Sequence, residues 1–246
     1  MSNNSKAIKN PEAKLPCPLY HGTSTLFLDS IVSHGLGGVN PIVEWKLVDL
    51  AKEVFALSEE YLKKTELFQI SSYSFKKMAE QSNGGSFNFQ HGDTYLSPSK
   101  QTAARYAIGK RYGSEMLTYT INFLTELLRM DIDYVKLDLR KKYKKIFGLI
   151  GANPSPLLIM VNTIDKTSLL NEYGEDPSDN FAEMSEVLED NLDPNLCLQQ
   201  TNFRLSVPIQ ANELRFWLIN VQKLHSLTPK YNLYEVKIDS RQEKST

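Results

Sequence analysis

Cysteine is almost missing from this chain: Cys17 and Cys197 are the two present among 246 residues. Neither stands in a Cys-x-x-Cys or Cys/His spacing. That argues against a disulfide framework and a zinc module, and it makes a reducing cytoplasm the expected setting. An excess of charge is missing as well. Lys plus Arg number 28 and Asp plus Glu 29, for a formal net charge of -1, which argues against a generic charge-driven coat on nucleic acid. No apolar run reaches the ~18 residues expected of a membrane span. Met1 to Lys14 is polar and lacks the apolar region of a signal peptide. There is no internal repeat. There is also no Gly-x-Gly-x-x-Gly fingerprint and no phosphate-binding P-loop, so a bound dinucleotide is not expected in a Rossmann mode. His34, His91 and His225 have no partner at a metal-ligand spacing, and no metal site is expected.

What is present is ordinary enough to build a core: 41% hydrophobic and 23% charged residues. Residues 1–16 read as a flexible arm ended by Pro16-Cys17-Pro18, residues 17–240 as one domain, and 241–246 as a polar tail. Leu19–His21 reads as a short strand and Thr23–Leu36 as a helix closed by Gly35. Trp45–Lys64 has helical periodicity. Ser71–Phe89, polar and holding Gly84-Gly85, reads as a long loop or lid. Thr94–Leu96 reads as a strand, and Lys100–Tyr112 as a helix started by Pro98-Ser99. Met116–Phe123 reads as a strand or as the start of the next helix. Pro156–Asn162 is the clearest buried strand. Asn171–Asp193 reads as an acidic exposed loop with one helix. Phe203–Val207 and Tyr231–Ile238 alternate as strands do, and Pro208–Val221 reads as a turn before a helix or strand. Strands mixed with helices, without regular βα alternation, indicate an α+β fold.

Three short segments carry chemistry: Tyr20-His21-Gly22-Thr23-Ser24, then Thr94-Tyr95-Leu96-Ser97, then Ala103-Ala104-Arg105-Tyr106. A tight strand end offers backbone N–H and C=O groups, and glycine permits close approach. A histidine there can hydrogen-bond a ribose hydroxyl. Two tyrosines eleven positions apart can stack on a flat cationic ring, a contact of about 1–2 kcal/mol when desolvated. These segments resemble the NAD-binding core of the ADP-ribosyltransferases, the superfamily of diphtheria-like toxins and poly-ADP-ribose polymerases. The resemblance implies a split antiparallel sheet with peripheral helices, and NAD as cofactor. It implies that His21 holds the ribose, that the Gly22 backbone holds the nicotinamide amide, and that Tyr95 and Tyr106 stack on the nicotinamide. Ser97 and Ala103 would line the pocket as small residues, and Thr23 and Ser24 would assist at the ribose or adenine side.

The family's third motif places a glutamate at the start of a late strand. Here that position falls on Gln200 or Asn202, and neither is a carboxylate. Glu213 is the nearby alternative. The implied activity is mono-ADP-ribosylation of a macromolecule, with a toxin or phage-defence effector and its antitoxin as the implied biological setting. Two alternatives stay open: an RNA 2′-phosphotransferase-like enzyme, and a degenerate module that binds NAD or ADP-ribose without turnover. Lys136, Arg140, Lys141, Lys142, Lys144 and Lys145 form a basic run, read either as a solvated helix face or as a patch steering RNA or DNA. On that ground a nucleic-acid acceptor is slightly favoured over protein.

Overall fold

A computed structural model describes residues 14–238 apart from 85–86, 90 and 224–228. Its order is β1 (Leu19–Ser24), α1 (Leu28–His34), α2 (Pro41–Glu44), α3 (Leu47–Tyr61), α4 (Glu66–Ala79), β2 (Asn83–Gly84) and β3 (Phe87–Asn88). There follow β4 (Tyr95–Leu96), α5 (Lys100–Gly109), α6 (Glu115–Arg129), a π-helical stretch Val135–Leu139, α7 (Arg140–Lys142) and α8 (Lys144–Phe147). The chain continues with β5 (Pro156–Val161), β6 (Leu169–Asn171), α9 (Ser178–Glu189), α10 (Pro194–Cys197), β7 (Phe203–Leu205), β8 (Leu214–Lys223) and β9 (Lys230–Val236). The fold is α+β, as expected. The expected polar tail, and His225, lie outside the described residues.

Two antiparallel sheets carry the frame, ordered β1-β5-β8-β9 and β4-β7-β6. They meet where the Tyr20 and Ser97 backbones exchange hydrogen bonds of 2.8 Å in both directions. A short β2–β3 ladder stands apart. Strand β5 shows the period-2 logic: Leu157, Ile159 and Val161 join the large core, while Leu158 faces a smaller cluster with Ala103, Ala104 and Ala107. Helices α3, α4 and α6 close the large core through Val54, Phe75, Met78, Phe123 and Leu124, with Phe75 and Phe123 stacked at 4.6 Å. Helix α5 lies on the opposite face.

Several local expectations change. Thr23 and Ser24 continue β1, paired with Leu157 and Pro156, so the helix starts later than Thr23. Ser71–Ala79 is the end of α4 rather than a loop. Thr65 caps that helix at the Phe68 N–H, and Phe75, Met78 and Ala79 bury one side, so its polar residues occupy the outer face. Of the two readings left open for Met116–Phe123, the helical one is adopted: Ser114 caps α6, and Met116, Thr120, Phe123 and Leu127 bury at helical spacing. β-branched residues within it were outweighed by that buried stripe. Of the two forms left open for Pro208–Val221, strand β8 is the one adopted. Residues 1–13 of the expected arm lie outside the described residues; Leu15 is 5% exposed and its N–H bonds the Ile164 carbonyl, and Lys14 forms a β-bridge with Asp165, so residues 14–15 pack against the domain.

Candidate functional site

The split between the sheets opens a cleft of about 380 Å³ walled by β1, β4, the start of α6 and the end of β7. Strand β1 brings Tyr20, His21, Gly22 and Thr23 to it, and β4 brings Tyr95. Helix α5 brings Ala103 and Tyr106. That helix can approach because its sheet-facing side is alanine. A Cβ added to Gly22 would lie 1.9 Å from the Ala103 carbonyl oxygen. Glycine is therefore required there for the approach of α5, while Gly22 also lines the cleft.

His21 Nδ1 lies 2.8 Å from the Tyr95 carbonyl oxygen. A carbonyl only accepts, so Nδ1 carries the proton and Nε2 keeps its lone pair. Burial pulls the imidazole below its ordinary titration range, against a smaller upward pull from that bond. His21 is thus a neutral acceptor at pH 7, the form suited to a ribose hydroxyl. Tyr106 keeps 36% of its surface exposed, and its Oη accepts from the Glu115 N–H at 3.1 Å. Although part of the ring is exposed, desolvation of the phenolic hydroxyl, with the adjacent Glu115 carboxylate, raises its titration far above the ordinary range, so it stays protonated.

The remaining expected residues divide. Ser97 lines the cleft, but its Oγ accepts from the Ser99 N–H and bonds the Thr201 carbonyl. Thr23 Oγ1 donates to the Gly113 carbonyl at 3.1 Å. Gly113 has φ +75°, and a Cβ there would meet the Ser24 nitrogen at 2.6 Å, so glycine is required where the α5–α6 turn lies on β1. Ser24 is fully buried and is not among the residues that line the cleft. Asn202 is part of the wall. Gln200 is exposed and Glu213 sits exposed in the turn before β8, and neither lines the cleft.

Carboxylates do reach the cleft from places the sequence reading missed: Asp93, Glu115 and Glu172. Glu172 opens the turn that follows β6, where the Asn171 N–H bonds the Glu175 carbonyl, and both Glu172 and Asn202 line the cleft. The signal was the short Leu169–Asn171 strand, too brief to read as one. Asp93 pairs with Arg204, and Glu115 with Lys110. His91 is a second cleft histidine. Among the described residues, no Lys or Arg lines the cleft, and no group of three His, Cys, Asp or Glu is arranged to hold a metal ion.

The basic run lies elsewhere. Lys136 pairs with Asp131 and Asp133, Lys142 with Glu53 and Lys145 with Glu44. Glu53 also accepts from Tyr134 and Tyr143 at 2.9 and 2.7 Å, which fastens the run onto α3. None of the six residues, Arg140, Lys141 and Lys144 included, lines the cleft. Comparison with protein-family models, with curated proteins and with solved structures found no match.

Proposed function

We propose that the chain is a mono-ADP-ribosyltransferase that takes ADP-ribose from NAD and releases nicotinamide. The observation that carries this reading is the convergence of His21, Tyr95 and Tyr106 from β1, β4 and α5 on one cleft. On this reading the neutral His21 Nε2 accepts from a ribose hydroxyl. Tyr95 and Tyr106 present their rings to the cationic nicotinamide. Cleaving the nicotinamide–ribose bond leaves positive charge on the ribose, which a nearby carboxylate stabilises. Glu172 and Glu115, which line the cleft beside Asn202, are assigned that role, since Glu213 and Gln200 do not reach the cleft. Their presence in the cleft favours turnover over a degenerate module. The absence of Lys and Arg from the cleft wall, among the described residues, disfavours the 2′-phosphotransferase alternative, which must hold an RNA phosphate. It equally weakens the lean towards a nucleic-acid acceptor, because the basic run is tied into the domain away from the cleft. The toxin or phage-defence role, and an antitoxin partner, rest on the resemblance alone.

The test is incubation with NAD labelled in its adenylate half and with whole-cell lysate. The wild-type chain is expected to label a macromolecular fraction, with protease and nuclease digestion identifying its class. His21→Ala is expected to label none. Equal labelling by both overturns the reading.

A further inference from the structure

His91 stands in the cleft wall with a nitrogen that nothing uses. Its Nε2 is shielded from bulk water and has no hydrogen-bond partner among the described residues. Its backbone is held, because the His91 N–H donates to Gln81 Oε1 at 2.9 Å at the end of α4. The Glu115 carboxylate and the Lys110 ammonium act on the ring from the start of α6 and the preceding turn. Tyr20, His21, Tyr95, Tyr106, Asp93 and Glu172 are the other titratable groups on the same cleft. A buried polar nitrogen left unsatisfied is costly, and a donor arriving with a ligand removes that cost. Nothing in the fold explains a histidine here. An apolar side chain of similar volume would fill the same wall without leaving a nitrogen unsatisfied.

We infer that His91 Nε2 accepts the proton of the nucleophile that receives ADP-ribose, an inference that rests on the reading proposed above. The step balances. The oxygen of an acceptor O–H forms a bond to ribose C1′ as the C1′–nitrogen bond to nicotinamide breaks. The electron pair of that broken bond stays on the ring nitrogen, so nicotinamide leaves neutral. The acceptor's proton passes to Nε2, the imidazolium is stabilised by Glu115, and the proton is then lost to solvent. His21 cannot take this part while its Nε2 is engaged with the ribose. Its Nδ1 proton is committed to the Tyr95 carbonyl. Burial keeps His91 below its ordinary titration range, which leaves the ring in its basic form at pH 7.

Water is the simplest O–H acceptor and serves as the probe. Nicotinamide release from NAD is measured for the full chain and for His91→Gln, with and without sodium azide. Azide is already an anion at neutral pH and brings no proton to remove, so it attacks C1′ without a base. His91→Gln is expected to lose about 100-fold of the reaction with water and to regain it in azide, with ADP-ribosyl azide as the product. A merely structural role for His91 would not be repaired by azide. If the Gln variant does not fold, His91→Asn takes the same two measurements. Hydrolysis by the variant at the wild-type rate, or a loss that azide does not restore, overturns the role of His91 and leaves the transferase reading standing. No nicotinamide release by the wild-type chain overturns both.

Discussion

The chemistry proposed for this cleft turns on the protonation of single side chains. The tautomer of His21 follows from one contact, Nδ1 to the Tyr95 carbonyl. Its consequence for stability has a definite sign. Burial lowers the His21 and His91 titrations in the folded state, so the unfolded chain binds more protons below its own pKa of about 6.5. Stability from these two groups is complete above about pH 6.5 and is lost as pH falls through the lower folded values. Urea unfolding from pH 7 to pH 5 should therefore show falling stability, with a smaller fall in His91→Gln. An unchanged slope in the variant would contradict the burial of that ring. Gly22 makes a second residue-scale case. With a would-be Cβ 1.9 Å from the Ala103 carbonyl, Gly22→Ala forces α5 off β1 and should cost at least about 3 kcal/mol, more than ordinary overpacking. Denaturant titration measures it.

At the scale of elements, position decides which residues share the cleft. Helix α5, which carries Tyr106, is capped by Ser99: Ser99 Oγ accepts from the Thr102 N–H at 3.1 Å. Ser99→Ala should cost about 1 kcal/mol and lower nicotinamide release further than that stability loss explains, by shifting Tyr106. The fastening of the basic run gives a test remote from the cleft. Burial raises the Glu53 carboxyl, but hydrogen bonds from Lys142, Tyr143 and Tyr134 outweigh it and hold it below the ordinary range. Glu53→Ala should cost about 1–2 kcal/mol while leaving nicotinamide release unchanged. Much of this layout was legible beforehand. Leu19–His21, Thr94–Leu96, Pro156–Asn162 and Phe203–Val207 announce strands by alternation or by a buried apolar run. Helix α4 was not legible, because its polar outer face hides the burial of Phe75 and Met78. Local pattern also cannot reveal that the turn after β6, a strand three residues long, brings Glu172 to the cleft. Chain distance hid His91 and Glu115 for the same reason. They meet the cleft through tertiary packing, while His21, Tyr95 and Tyr106 were marked by their own motif.

Across the whole molecule, two sheets joined at Tyr20 and Ser97 leave a gap, and the gap is where the chemistry-bearing residues gather. The large core lies on one side of the β1-β5-β8-β9 sheet and α5 on the other, so the cleft is framed by packed elements rather than by loops alone. On the proposed reading, such framing favours a preorganised site, in which charge developing on a ribose would meet fixed carboxylates and neutral imidazoles. Among the described residues, no helix is long and apolar enough to cross a membrane. The central claim is that this cleft cleaves the nicotinamide–ribose bond of NAD. Its most direct test is nicotinamide release from NAD by the purified chain beside His21→Ala and Tyr106→Ala, each first shown to unfold cooperatively. The account predicts measurable release by the wild-type chain and a loss of about 100-fold or more in both variants. Release at the wild-type rate by both variants would contradict it.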